Sequence, residues 1–269
     1  MSGFSAEWLA LRESYDLRAR NPIVLDAVAT RLKSHEAISV VDLACGAGST
    51  VRALGSHLPA RQRWDLVDND QRLLTLACSG TSTSDVRLNA VPLDLSDNFE
   101  VVLDGSKDVI ATSALLDLVS ETWLDRLART IAARALPVYA ALTYDGRIDL
   151  SPADPLDATI ASAVNAHQHT DKGFGPALGP SAAAAAISRF EALGYSVVHG
   201  NSDWLIGTTD QEIQLELLAG WATAAREVEA LPRCDIDNWL ARRKDEVGAR
   251  ASTMRVGHVD FFATPIATR

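Results

Sequence analysis

One short segment constrains this chain more than any other. Ile38-Ser39-Val40-Val41-Asp42-Leu43 is β-branched and apolar, runs into Ala44-Cys45-Gly46-Ala47-Gly48-Ser49-Thr50, and continues as the helical Val51-Arg52-Ala53-Leu54. A strand, a glycine turn and a helix in that order open a parallel-sheet unit, because parallel strands need a crossover that a helix supplies. The rhythm then repeats. Strands are expected at Arg63–Asp68, Val86–Leu93, Lys107–Thr112 and Pro137–Leu142, with helices at Gln71–Cys78 and Ser120–Arg134 between them. Such alternation predicts a doubly wound α/β sheet with helices on both faces.

The flanks read differently. Ser5 to Lys33 carries helical spacing broken at Asn21-Pro22, where proline disfavours helix before it and suits a first helical position after it. After Tyr144 the alternation stops. Asp149 to Pro180 is rich in Pro, Gly, His and Asp and holds one expected helix, Asp157–Gln168. Helices at Ser181–Leu193, Gln211–Leu231 and Ile236–Ala251, with strands at Tyr195–Gly200 and Met254–Thr264, complete the chain. No internal repeat and no long linker divides the 269 residues, so 149–180 reads as an insertion or lid on one domain.

The turn carries the chemistry. Gly46 and Gly48 let the backbone approach a ligand without a Cβ in the way. Asp68, twenty residues beyond Gly48 at the end of the next strand, is placed to accept both ribose hydroxyls of a nucleoside. Val51 stands where a dinucleotide fingerprint has its third glycine. Asp42, Asp68 and Asp94 all fall at the carboxyl ends of successive strands, the crevice where open parallel sheets bind ligands. Carboxylates there repel a pyrophosphate and suit a cationic nucleoside such as S-adenosylmethionine.

These segments resemble the class I S-adenosylmethionine-dependent methyltransferases. VVDLACGAGST is similar to the family's first motif, WDLVDND to its second, VPLDLSD to its third, and DVIATSALLDLVSETWLDRL to its fourth strand and following helix. The resemblance covers about Ser39 to Leu142 and extends loosely to the C-terminus. It implies a seven-stranded Rossmann-like sheet whose last strand is antiparallel, and S-adenosyl-L-methionine as cofactor. It implies cofactor contacts from Asp42, Ala44, Gly46, Gly48, Asp68, Asn69, Asp94 and Leu95, with Thr112 and Ser113 near the methyl group. Family members often close N-terminal helices over the cofactor, which makes Tyr15 a further candidate. The expected layout is a single domain over 1–269: helices 1–37 over the cleft, a cofactor core 38–145, the 149–180 insertion, and a C-terminal part 181–269.

The acceptor side is less legible. A histidine pair common in small-molecule members is replaced by Leu116-Asp117, and the box of amino methyltransferases on DNA bases and glutamine is missing. His167 and His169, beside Asp171 and Lys172, offer a general base for an oxygen or nitrogen acceptor, with Asp117 as a second candidate and Phe174 as a wall. A histidine-x-histidine pair plus an acid also resembles part of a metal site, but no further ligand announces itself and none is expected. Plainer roles stand beside these: Asp42 as a turn cap, Asn69 and Asp70 as a helix cap, Cys45 as a small turn residue. Trp123, Trp221 and Trp239 read as core.

Charge narrows the partners. A net charge of −10 opposes general binding to nucleic acid or anionic membrane, so a small-molecule acceptor is expected. Three scattered cysteines suggest no disulfide framework, and no apolar run reaches the roughly 18 to 20 residues of a membrane helix. No signal peptide is visible, and the expectation is a cytoplasmic monomer or homodimer. Two other readings stay open: a methyltransferase-like domain that binds without turnover, and an NAD(P)-dependent oxidoreductase.

Overall fold

A computed structural model describes residues 4–79 and 84–266. The outermost three residues at each end of the expected 1–269 domain therefore lie outside the described residues. The chain opens with α1 (Ala6–Ala19), whose first turn is capped by the Ser5 hydroxyl accepting the Trp8 N–H at 3.1 Å. Asn21 caps α2 (Pro22–Leu32), with Pro22 at its start. β1 (Ala37–Leu43), α3 (Ser49–Leu54), β2 (Arg61–Asp68), α4 (Gln71–Cys78), β3 (Val86–Pro92), β4 (Val109–Ser113) and α5 (Glu121–Ala133) follow at the predicted places. Asp70 is indeed the cap of α4, accepting the N–H groups of Arg72 and Leu73 at 2.8 and 3.3 Å.

The second half departs from expectation in two places. β5 (Val138–Ser151) is far longer than the predicted Pro137–Leu142 and runs into the segment assigned to the insertion. Two register shifts let it continue, one between Ala140 and Thr143 and one between Tyr144 and Ile148. Asp145-Gly146-Arg147 resembles a turn but forms the second irregularity, with Gly146 at φ +88°. After α6 (Asp157–Gln168), α7 (Ala182–Ala192) and β6 (Tyr195–Asn201) comes β7 (Trp204–Ile206), a three-residue strand that the sequence pattern does not announce. α8 (Gln211–Glu227), α9 (Arg233–Gly248) and β8 (Thr253–Pro265) complete the chain.

The sheet therefore has eight strands rather than seven. Its order is β3-β2-β1-β4-β5-β8-β6, with β7 on β8. The first five are parallel, while β8 runs antiparallel to β5, β6 and β7. Strand order reverses between β1 and β4, which opens a crevice at their carboxyl ends.

Alternation along the strands distributes the core. Val41 and Leu43 of β1 face Trp123 and Leu124 of α5 and Phe190 of α7. Ile38 and Val40 face Val24 and Val28 of α2 and Leu74 of α4. A third core joins Tyr15 of α1, Ile160 of α6, Trp204, Ile213 of α8 and Trp239 of α9. It stands beside the sheet and walls the far end of the crevice. Among the described residues, no helix is long and apolar enough to cross a membrane.

Candidate active site

The crevice is a cavity of about 1300 Å³. Its near half is the glycine turn and the ends of β2, β3 and β4. Cys45 donates its N–H to Val67 O at 3.0 Å, which ties the turn to β2. Gly46 (φ +53°) and Gly48 (φ +82°) take the left-handed conformation that glycine allows most readily. A Cβ on Gly48 would lie 3.1 Å from Ala77 Cβ, so packing of α4 adds a second demand for glycine there.

Asp68 organises this half. Its Oδ2 accepts the Gly46 N–H at 2.9 Å and its Oδ1 accepts the Asp70 N–H at 3.0 Å. An ionised carboxylate has about four lone-pair positions, so two remain for a ligand. Asn69, Ala44 and Gly46 stand beside it on the wall. Asp94 also lines the cavity, and bonds from the Ser96 hydroxyl and N–H hold its pKa below the usual range. Leu95 borders it too, its carbonyl accepting the Trp123 indole N–H at 2.7 Å, and Phe174 stacks edge-on to Trp123 with centroids 5.3 Å apart.

Several expected cofactor residues stand off the wall. Asp42 is fully buried beneath the turn and does not line the cavity. Burial raises its pKa to about 8, against the pull of Arg20 and the Thr50 hydroxyl. It is therefore largely protonated near neutrality and is not part of a charged row. Gly48 shapes the turn from behind, donating to Cys45 O at 2.9 Å. Thr112 donates its hydroxyl to Leu43 O at 2.9 Å between strands, while Ser113 lines the cavity. Tyr15 turns away from the cleft, because its place on α1 faces the third core, where Arg18 covers its ring.

The far half is built largely from residues the sequence reading did not single out as site residues. Trp8, Arg12 and Asp16, spaced four apart, present one face of α1 to it. Asp16 accepts from Arg12 Nε at 3.0 Å and from the Trp204 indole at 3.0 Å. Trp221, read as core, is buried yet forms part of the wall. Tyr144 and His258, paired across β5 and β8, complete it, with Tyr144 donating its hydroxyl to Asn165 Oδ1 at 2.7 Å.

Of the acceptor-side candidates, Asp117 and His167 line the cavity and His169 does not. Burial raises the Asp117 pKa to about 6, opposed by its own and Tyr144's backbone N–H groups and by Arg12. His167 Nε2 lies 2.7 Å from Glu227 Oε2. His169 Nδ1 lies 3.1 Å from Ala177 O, which spends it on its own loop. That loop is fastened: Asp171 Oδ1 accepts the N–H groups of Gly173 and Gly175 at 2.6 and 3.0 Å. Among the described residues, no group of three His, Cys, Asp or Glu side chains is placed to hold a metal ion.

No protein-family model and no curated protein matches this chain. Solved structures do. A cyclopropane-fatty-acyl-phospholipid synthase-like protein from Lactobacillus casei is 13% identical over 97% of this chain and 94% of its own, with a TM-score of 0.53. SAM-dependent methyltransferases from Thiobacillus denitrificans and Geobacter sulfurreducens, both crystallised with S-adenosyl-L-homocysteine, are also similar. The first is 15% identical over 97% of this chain and 99% of its own, and the second 17% identical over 99% and 100%; both have TM-scores of 0.45. The Lactobacillus casei likeness is one of fold: a Rossmann-like, doubly wound α/β sheet.

Proposed function

We propose that this chain binds S-adenosyl-L-methionine in the near half of the cavity and catalyses methyl transfer to a small-molecule acceptor in the far half, in the cytoplasm. The observation that carries this reading is Asp68, held by the Gly46 and Asp70 N–H groups at the carboxyl end of β2 with acceptor capacity left over. Asp68, Asp70 and Asp94 outnumber Arg72 on the near wall, where Arg52 is already paired with Glu13, and this excess of acid favours a cationic nucleoside over a pyrophosphate. The left-handed turn leaves backbone room for it.

When bound, the sulfonium supplies an electrophilic methyl carbon. The residues here hold and orient rather than activate. Asp68 and Asn69 are the ribose-side contacts, Asp94 and Leu95 the base-side contacts, and Ser113 stands at the boundary with the far half. Leu9 of α1 covers the turn, and the Glu13–Arg52 ion pair pins that helix to α3. Enclosure of this kind excludes water and fixes orientation, which can supply roughly 7–11 kcal/mol of a barrier. The net charge of −10 supports a small metabolite rather than nucleic acid as acceptor.

Calorimetric titration tests the reading. S-adenosyl-L-methionine is expected to bind the wild type tightly and Asp68→Ala weakly. Preference for NAD over S-adenosyl-L-methionine would overturn it.

A further inference from the structure

The far half of the cavity shows which polar groups are already engaged and which are not. The Trp204 indole and the Arg12 guanidinium both bond Asp16, and the Tyr144 hydroxyl bonds Asn165. Asp117 and His258 differ. Both side chains are more than nine-tenths buried and both line the cavity, yet Asp117 Oδ1 and His258 Nδ1 have no hydrogen-bond partner. They come from different elements: Asp117 from the loop after β4, His258 from β8 opposite Tyr144. Rings flank the histidine, with Trp204 at 5.1 Å and Tyr144 at 6.2 Å between centroids. A buried carboxylate oxygen and a buried imidazole nitrogen left unpaired are costly, and a ligand that bonds these side chains removes part of that cost.

The surrounding charges limit what that ligand can be. The Arg12 guanidinium lies 4.9 Å from the Trp204 ring centroid and 6.0 Å from that of Trp8, so the aromatic faces already hold a cation. A cationic ligand would meet Arg12 and Lys172, and an anionic one would meet Asp16 and Asp117. A neutral molecule with a ring for the tryptophans and a hydroxyl for the polar pair meets neither penalty. Burial keeps His258 neutral far into acid, and with its ring already turned to the Val256 backbone it offers a ligand the unpartnered Nδ1.

We propose that the far half binds a neutral, ring-bearing hydroxyl compound, its hydroxyl bonded to Asp117 and His258 and its ring against Trp204 and Trp221. This rests on the methyltransferase reading for its meaning, since the compound is then the methyl acceptor, but the binding claim needs no cofactor to be tested.

The probes are 2-naphthol, naphthalene, 2-naphthoate and 2-naphthylmethylammonium, titrated into the full-length protein with tryptophan fluorescence and calorimetry as readouts. 2-Naphthol is expected to bind about ten- to hundred-fold more tightly than naphthalene, and more tightly than either charged probe. The advantage over naphthalene should shrink to within about three-fold in Asp117→Leu and in His258→Leu. Asp117→Asn, which preserves shape, should show an intermediate loss and serves if the leucine variant does not fold. Equal binding of naphthol and naphthalene, preference for a charged probe, or an undiminished advantage in the variants would overturn the proposal. A parallel titration with S-adenosyl-L-methionine separates the two ideas: discrimination among the naphthyl probes without cofactor binding sinks the methyltransferase reading alone, and cofactor binding without discrimination sinks this one alone.

Discussion

Arg20 Nη2 donates to Ser113 Oγ at 3.1 Å, tying the end of α1 to the tip of β4. The same guanidinium reaches the Tyr139 hydroxyl at 3.4 Å, and the buried acids Asp42 and Asp260 feel its charge. Asp260 in turn accepts the N–H groups of Asn21 and Leu142 at 2.9 and 2.7 Å. Arg20 thus acts on both of these carboxyl groups. Because Asp42 is largely protonated, removing Arg20 chiefly takes the compensating cation from Asp260 and the donor from Ser113 and Tyr139 in a dry interior. Arg20→Met is expected to lower stability by about 3–5 kcal/mol in urea denaturation. A change within about 0.5 kcal/mol would mean that the cation is dispensable.

Gly48→Ala tests the turn. At φ +82° an alanine is strained, and its Cβ would press on Ala77 at 3.1 Å. The expected cost is about 1–3 kcal/mol in stability. Affinity for S-adenosyl-L-methionine should fall as well, read by calorimetry. Because Gly48 lies behind the wall, an affinity loss without any stability loss would contradict the packing account.

Asp42 predicts a pH dependence of one sign. Burial raises its native pKa to about 8, while the unfolded carboxyl titrates near 3.9. Between those values the native state holds the extra proton. Its contribution is therefore fully present below about pH 4 and is lost as pH rises through about 8. Asp42→Asn removes the dependence, so the variant should gain on the wild type between pH 5 and pH 9. Chemical denaturation at the two pH values checks this, and a constant difference would refute it.

His258 predicts the opposite sign. Burial, with Arg12 next in effect, lowers its native pKa to about 3, against about 6.5 unfolded. The unfolded chain then binds the extra proton between these values. The contribution of His258 is present above about pH 6.5 and is lost as pH falls towards 3. His258→Phe should therefore lose less stability than the wild type between pH 7 and pH 4. A His258 imidazole resonance, assigned by its loss in His258→Phe, that titrates between pH 6 and 7 in the native protein would contradict the burial argument.

The near half of the site was legible because it is local. The β1 strand, its glycine turn and α3 are contiguous, and Asp68 and Asp94 follow at strand ends that short-range pattern reveals. Asp42 misled for a reason sequence does not carry: whether a carboxyl at a strand end faces the cleft or the underside depends on the turn that follows. Tyr15 misled similarly, since the α1 face towards the cleft is set by docking on β7, an element too short for alternation to show. The far half draws Trp8, Asp117, Trp204, Trp221 and His258 from five separate stretches. Trp221 has the spacing of an ordinary core residue, and nothing in its neighbours distinguishes a wall from an interior. The row Trp8, Arg12 and Asp16, spaced four apart, is the readable sign, an aromatic, a cation and an acid stacked on a single helix face.

α1 touches both halves, through Leu9 over Gly46 and through Asp16 on Trp204. Two occupants that never meet would still share that helix as a common latch. Whichever arrives first would quieten it for the second, so each should hold on longer in the other's company.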